Sequence, residues 1–310
     1  MHEARRNFLL SSAALAAAAL RPRGALAQGR KSRLLMLGTG GGPRPRKDRG
    51  ATAHAVIVND VVYVVDCGNG VARQLAAMGV ALPKLRHVFI THQHSDHNAD
   101  YGNLLLLSWA SGLRTRVDAW GPPPLAKMTR LSLELNAYDI NIRIEDEGRV
   151  PLEPLIHAHE LTGPGLVMQD ENVKVTCALV DHPPVVPAFA YRFDAPDRAI
   201  VFSGDTNRSE NLVKLAQGAD VLVHEAIYLP ALDRLVARVP NATTLKKHLV
   251  DSHTSAEDCG RVATEAGVKT LVLSHLVPAD DPLVTESMWI EAARGTFKGE
   301  IVVARDLMEL

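Results

Sequence analysis

The sequence predicts a layered α/β protein, with sheets covered by helices, on three observations. Strand-like and helix-like segments alternate along the chain instead of segregating into blocks. The alternation runs through two halves of similar make-up, which points to a sandwich. Each cluster of ionisable side chains directly follows an apolar run, and strand ends are where α/β folds build their sites.

The first 27 residues stand apart from this pattern. Arg5 and Arg6 precede Phe8 and Leu9, an apolar run extends from Leu9 to Leu20, and Ala25-Leu26-Ala27 is a small-x-small site. That run is too short for a permanent membrane helix, which needs about 20 residues. A removable twin-arginine-type export signal over 1–27 is expected, cleaved after Ala27 and directing the protein to the periplasm with no membrane anchor left.

The remaining elements follow in order. "RLLML" (33–37) reads as a buried strand stopped by the glycine-rich "GTGGGPRPRKDRG", and "AHAVIV" and "VVYVVD" flank Asn59-Asp60 as a β-hairpin. "GVARQLAAMGV" is a short amphipathic helix, "HVFI" (87–90) a strand, and "NADYGNLLLLSWASG" a helix closed by Gly112. Residues 113–172 mix Pro-rich turns with one helical stretch, "LAKMTRLSLELNAY", and their uneven pattern suggests a cover over a site. The second half restarts with strands "VKVTCALV", "AFAYRF" and "AIVFSG", then helix "SENLVKLAQG", strand "DVLVHE", helix "SAEDCGRVATEAG" and strand "KTLVLSH". A helix near "ESMWIEAARGTF" and the strand "EIVVA" finish the chain. Ser255 with Asp258, or Thr254 with Glu257, would cap the helix that follows.

Composition narrows the function. With 46% hydrophobic and 22% charged residues, the chain can bury an ordinary core. Without residues 1–27 it carries 30 basic and 34 acidic side chains, a net charge of −4, so a global basic field for nucleic acid is missing and no nucleic-acid partner is expected. Cys67, Cys177 and Cys259 cannot all pair and read as small core residues. Trp109, Trp120, Tyr138 and Met128 read as core by default, with a hydrophobic substrate wall as the alternative.

The stretch "THQHSDHNAD" (91–100) places His92, His94, Asp96 and His97 within six positions. His92 and His94 alternate, so in extended backbone both rings face one side and can share an ion. Asp96 and His97 lie on the following turn, displaced enough to serve a second. His182 after "TCALVD", Asp205 after "VFSG" and His275 after "TLVLS" bring the total to seven groups, more than one ion's four ligands. Two divalent ions fit, with a carboxylate shared. Zinc is the first choice because imidazole dominates; manganese and iron are the alternatives.

Here the chain resembles the metallo-β-lactamase fold superfamily, whose H-x-H-x-D-H motif is matched by "HQHSDH". "LGTGGGP", "VDCGNG", "SGDT", "HEA", "HTS" and "LSH" also occur in the family's order, and "LGTGGG", "HEAIY" and "DSHTSAED" are most similar to the branch of ribonuclease Z, zinc phosphodiesterases and arylsulfatase-like enzymes. The resemblance implies an αβ/βα four-layer sandwich over residues 28–310. It implies one ion on His92, His94 and His182, a second on Asp96, His97 and His275, and Asp205 bridging both. It also implies that His253, oriented by Glu225, protonates the leaving oxygen. Asp96, His253 and Glu225 are thus the candidate catalytic residues. Asp66, just after a strand, is expected to hold a ligand histidine from behind, to form an Asx turn into Gly68, or both.

The expected chemistry is hydrolysis, because two close divalent ions turn the water between them into a hydroxide nucleophile near neutral pH. The expected substrate is a small, anionic phosphodiester or aryl sulfate; the resemblance brings the loop holding Arg44, Arg46, Lys47 and Arg49 close to the metals, where one or more of these cations grips the anion or else the loop is a solvated basic turn. A lactonase or β-lactamase acting on carbonyl centres is the alternative, and a non-catalytic metal-binding protein a further one. A tRNA processor fits poorly: only 22 residues separate His182 from Asp205, leaving no room for a long basic arm, and "HLVPADD" lacks that enzyme's pattern. His157 and His159 alternate and would make a second metal pair, or else a polar strand face. His224 and His248 read as structural, and a homo-oligomer is left open.

Overall fold

The computed structural model describes residues 31–310; the export signal expected over 1–27 lies outside them. The first half contains β1 (Arg33–Gly38), β2 (Ala53–Val58), β3 (Val61–Val65), α1 (Val71–Ala77), β4 (Leu85–Phe89), α2 (Ser95–Asn98), α3 (Tyr101–Ala110), β5 (Val117–Gly121), α4 (Leu125–Leu135), α5 (Ala137–Glu147) and β6 (Ile156–Glu160). The second contains β7 (Gly165–Gln169), β8 (Lys174–Val180), β9 (Ala188–Asp194), β10 (Ala199–Phe202), α6 (Glu210–Leu215), β11 (Val221–Ile227), α7 (Leu232–Ala237), α8 (Leu245–Ser252), α9 (Ala256–Ala266), β12 (Thr270–Val277), α10 (Glu286–Arg294), β13 (Glu300–Val303) and β14 (Met308–Glu309).

These strands form two seven-stranded sheets, ordered β14-β1-β2-β3-β4-β5-β6 and β13-β12-β11-β10-β9-β8-β7. The two-residue side-chain period of a strand explains the layering. In β3, Val62 and Val64 face outward to a core completed by Leu104, Leu105 and Trp109 of α3. Tyr63 and Val65 face inward, where Phe89, Tyr191, Phe193 and Phe202 fill the space between the sheets. The outer face of the second sheet packs on α6, α9 and α10 through Leu212, Val262 and Trp289. The result is the expected helix–sheet–sheet–helix sandwich. Asn59 and Asp60 join β2 to β3 with φ of 50° and 66°, as a tight hairpin requires. Ser255 caps α9 by accepting the Asp258 amide at 3.1 Å, and all three cysteines are buried and unpaired.

Two expectations change. The helix in 113–172 is two helices broken at Asn136, and α4 packs on α3 and β6 at the edge of the first sheet. It covers no strand-end site. The cover comes instead from residues 229–252, where α7 and α8 enclose a small core of Ile227, Leu232, Leu235, Leu249 and Val277. Helices of six and eight residues are too short to show a clear 3.6-residue period, which is why pattern alone left this segment unassigned.

Candidate metal centre

Four strands of the two sheets deliver their following residues to one edge of the sandwich. After β4, the chain turns through His92 and His94 into α2, which carries Asp96 and His97. β8 leads to His182, β10 to Asp205, and β12 carries His275. Gly204, just before Asp205, has φ +59°, and a Cβ there would stand 2.6 Å from the Phe189 carbonyl. His275 sits at φ 43° where the β11–β12 register slips, so a bulge turns its ring into the site.

The donor atoms then converge. His94 Nδ1 lies 3.1 Å from both His92 Nε2 and His182 Nε2, and Asp205 Oδ2 stands 3.8 and 3.9 Å from the latter two. On its other side, Asp205 Oδ2 is 3.3 Å from His97 Nε2 and 3.1 Å from His275 Nε2, while Asp96 Oδ2 is 3.2 Å from His275 Nε2. Each set, His92/His94/His182/Asp205 and Asp96/His97/Asp205/His275, has its four donor atoms within 4.8 Å of one another. All seven sequence-derived ligand candidates are therefore brought together.

The surrounding hydrogen bonds fix which nitrogens face inward. His182 Nδ1 donates to the Ser252 carbonyl at 2.8 Å, which leaves Nε2 as a lone pair. His97 Nδ1 donates to Asp66 Oδ2 at 2.8 Å, so its Nε2 is likewise free. Asp66 also accepts the Thr91 amide at 2.8 Å and the Thr91 hydroxyl, whose remaining lone pair faces His92 Nδ1 at 3.1 Å. His97 Nε2 and Asp205 Oδ1 are buried without a hydrogen-bond partner. Lone pairs aimed at a common point, with orphaned buried donor atoms, fit divalent cations.

Titration agrees with this fit. Burial pushes the imidazoles of His92, His94 and His182 down, that of His94 to about 4, so they remain neutral donors. Burial also acts to lower His97 and His275, but Asp205 outweighs it at both, aided by Asp66 at His97 and by Asp96 at His275. His97 rises well above its ordinary value and His275 to about 10. Asp96 and Asp205, which burial alone would raise, are held below the usual carboxylate range by those imidazoles. The buried carboxylates thus demand positive charge, and metal uptake would supply it while releasing the imidazole protons.

Beside the donors, Glu225 Oε1 lies 3.2 Å from His253 Nδ1 and accepts the Thr254 amide at 3.0 Å. That leaves His253 Nε2 for the adjoining cavity of about 390 Å³. The cavity is walled by Leu235, Val239, Leu245, Leu249 and Val277, so the roof segment supplies most of its apolar surface. His248 of α8 also lines it, its ring 6.1 Å from His94 and 6.0 Å from His182. Sequence reading placed His248 among structural histidines because the roof was not legible. His54, buried between the sheets with Nε2 3.1 Å from Ser274 Oγ behind the site, also escaped notice, although a lone polar residue within "AHAVIV" marks it.

Other candidates fall elsewhere. His159 pairs with Asp118 at 2.6 Å and stacks on Trp120, and neither it nor His157 joins a metal-competent group among the described residues. Trp109, Trp120, Met128 and Tyr138 do not line the cavity. The loop cations divide: Arg49 is bound to Thr39 Oγ1 and the Ala304 carbonyl, and Arg46 to the Gly41 and Gly42 carbonyls, so both stiffen the loop. That loop presses on the centre, since the Gly42 amide donates to Asp96 Oδ2 at 2.7 Å and a Cβ on Gly41 would stand 2.6 Å from the His275 ring. Only Arg44 remains at the cavity rim with a pairing that can be exchanged.

A buried donor set open to a cavity, with an oriented imidazole beside it, belongs to a metal-dependent hydrolase. The chain is a member of the metallo-β-lactamase fold superfamily, in the branch that includes ribonuclease Z: the model of the β-lactamase superfamily domain matches residues 62–276. A ribonuclease Z of Mycobacterium bovis is 35% identical over 277 residues, covering 88% of this chain and 96% of the relative. One from Mycobacterium marinum is 34% identical over 279 residues, with the same coverage. Human short-form tRNase Z superposes with a TM-score of 0.64 at 21% identity, over 90% of this chain and 98% of that one. Zn²⁺-bound PqqB from Methylobacterium extorquens does so at 0.63 and 15%, over 90% and 99%.

These relatives overturn the expectation that nucleic acid is no partner, for the relatives with more than 30% identity carry the name of a ribonuclease. The physical error lay in using net charge. A chain of net charge −1, or −4 over residues 28–310 alone, still puts Arg44 and Arg46 in the cavity lining, with Arg238 sharing Asp280 with Arg44, and local field, not total charge, meets a phosphate.

Asp66 provides a test of the centre. In Asp66→Asn, the amide can still accept from Thr91 but offers N–H to His97, which turns the ring's inward lone pair away. Affinity for zinc should fall about 10- to 100-fold with the fold intact, measured by competition with a chromogenic chelator alongside circular dichroism. Unchanged affinity would remove Asp66 from the centre.

Proposed function

We propose that the chain is a dinuclear metal-dependent phosphodiesterase that cleaves a phosphodiester of a nucleic-acid strand. The observation that carries this reading is one carboxylate, Asp205, shared by two four-donor sets on the floor of a cavity that also presents the His253–Glu225 pair. His92, His94, His182 and Asp205 would hold one ion, and Asp96, His97, His275 and Asp205 the other, with zinc suited to the imidazole-rich set. Bound, such ions supply Lewis acidity and a nucleophilic water.

The chain's own residues supply the rest. Glu225 holds the His253 ring through Nδ1 and directs Nε2 to the cavity, where a departing alkoxide needs a proton. Burial alone would lower His253, but Glu225 raises it above the ordinary imidazole value, so the protonated donor persists toward neutrality. The roof of Leu235, Val239, Leu245 and Leu249 presents apolar surface to the space a reacting phosphate would occupy, which would limit the water around it. A carbonyl hydrolase, whose carboxylate or stabilised amine leaves readily, has little need of this acid, which favours the phosphodiester.

Zinc-reconstituted protein should hydrolyse bis(p-nitrophenyl) phosphate and a short RNA, lose both activities on dialysis against a chelator, and regain them with zinc. Turnover of p-nitrophenyl sulfate or a lactone in place of both would reassign the substrate class.

His253→Ala should reduce hydrolysis of alkyl-leaving phosphodiesters about 10²- to 10⁴-fold while sparing activated aryl esters. The sign follows from its raised pKa: the proton donor is present below that pKa and lost above it. The wild-type rate on alkyl esters should therefore fall as pH rises through it, and that alkaline limb should vanish in His253→Ala. Equal losses on both ester types would defeat the acid role.

We further propose that residues 1–27 export the folded protein to the periplasm, supported by Arg5-Arg6, the short apolar run and Ala25-Leu26-Ala27. Mature protein from the periplasm should begin at Gln28, and Arg5→Lys with Arg6→Lys should retain it in the cytoplasm. Export unaffected by that pair would rule out the twin-arginine route.

A further inference from the structure

Beside the cavity, Arg44 joins an unusual arrangement of charge. Arg44, from the loop after β1, and Arg238, at the end of α7, both reach toward Asp280 in the segment after β12. Arg44 Nη2 lies 3.4 and 3.5 Å from the two Asp280 oxygens, and Arg238 Nη1 lies 3.5 Å from Oδ2. All three side chains are about two-fifths to one-third exposed, and the contacts are long compared with the neighbouring Arg234–Asp281 pair at 2.8 Å. Long, solvent-washed ion pairs contribute little and exchange readily.

Within this cluster alone, Arg44, Arg46, Arg234 and Arg238 stand against Asp280 and Asp281, a net of +2 on formal charges that Asp96 and Asp205 on the cavity floor offset in the absence of metal. Arg46 is tied to carbonyls of its own loop, and Arg234 is committed to Asp281. Arg44 and Arg238 are left sharing one carboxylate between two guanidiniums. Arg44 lines the same cavity as His94, Asp96, His253 and His275, and Val239, next to Arg238, lines it too.

We propose that Arg44 and Arg238 form a second phosphate subsite, occupied in the free protein by Asp280 and taken in the complex by a phosphate flanking the scissile one. The inference rests on the phosphodiesterase reading and names what that site recognises beyond the reacting group. A phosphate brought by a ligand, with two non-bridging oxygens in a diester and three in a terminal monoester, is free of the tether that holds Asp280 at 3.4 to 3.5 Å and can approach both guanidiniums at ordinary hydrogen-bond distance. Asp280 then turns to solvent, and no bond is made or broken. The ligand chemistry is a phosphate mono- or diester, and its source is either the substrate's own backbone or free phosphate.

The test uses zinc-loaded protein and two chromogenic esters, thymidine 5′-(p-nitrophenyl phosphate) with a 3′-hydroxyl or with a 3′-phosphate. The 3′-phosphate should lower KM about tenfold, the order expected of one charge-assisted paired contact, with little change in kcat. Arg44→Gln and Arg238→Gln should each shrink that advantage, the double variant should abolish it, and Asp280→Asn should enlarge it. Inorganic pyrophosphate, added to chelator-treated protein, should raise the melting temperature of the wild type but not of the double variant. Competitive inhibition of the 3′-hydroxyl ester by pyrophosphate, lost in the double variant, would show that free phosphates also enter. If neither ester is hydrolysed yet pyrophosphate protects through the two arginines, the reaction is misassigned and the subsite stands. If the esters are hydrolysed with the same KM ratio in wild type and double variant, the subsite is overturned.

Discussion

The buried carboxylate of Asp205 is the constraint on which the rest of the site depends. An ionised group with 2% exposure is strongly disfavoured unless positive charge and hydrogen-bond donors surround it. Here five imidazoles approach its Oδ2 at 3.1 to 3.9 Å, those of His92, His97, His182, His253 and His275. No single secondary-structure element could supply such a ring. Parallel pairing of β10, β11 and β12, and of β3 and β4 in the facing sheet, brings the C-terminal ends of successive strands to one edge, so residues distant in sequence meet there. The sandwich is thus the means by which one carboxylate acquires partners from both halves of the chain.

Strained backbone also occurs at the same edge. Asp66, Gly204 and His275 all have positive φ, and two of them are not glycine. Such conformations persist only where surrounding contacts over-determine them. For Asp66, those contacts are Thr91 and His97; for His275, they are Asp96, Asp205 and the glycine loop pressed against its ring. A histidine in regular strand geometry would alternate to one face or the other of the sheet. The bulge instead turns His275 along the strand direction, toward the space above both sheets.

How much of this was legible follows from the range of each interaction. The six-residue cluster and the strand-end positions of His182, Asp205 and His275 could be read because each sits next to an apolar run whose period is local. Glu225 and His253 came through motifs that resemble a known branch, and the structure joins them at 3.2 Å. The roof was not legible, because α7 and α8 are short and are held by packing on Ile227 and Val277 more than by their own periodicity. The Arg44–Asp280–Arg238 arrangement was invisible for a related reason: its members lie on three segments, and nothing in any one of them indicates the other two. Net charge misled for the opposite reason, averaging over surfaces that never meet the substrate.

The cavity itself combines two environments that must be understood together. Its apolar roof lowers the local dielectric around the reacting centre, which strengthens every charge interaction made there, including the repulsion an anionic substrate meets from Asp96 and Asp205. An anion entering such a space needs compensating positive charge before it reaches the ions. Arg44 at the rim would provide it on the approach, and ions held by the donor set on the floor would provide it at the reacting centre. A wholly basic cavity would hold phosphate tightly everywhere and release product slowly. If the substrate is the proposed phosphodiester, cations confined to the rim and floor, with apolar walls between, would favour two discrete positions for phosphate groups over a continuum.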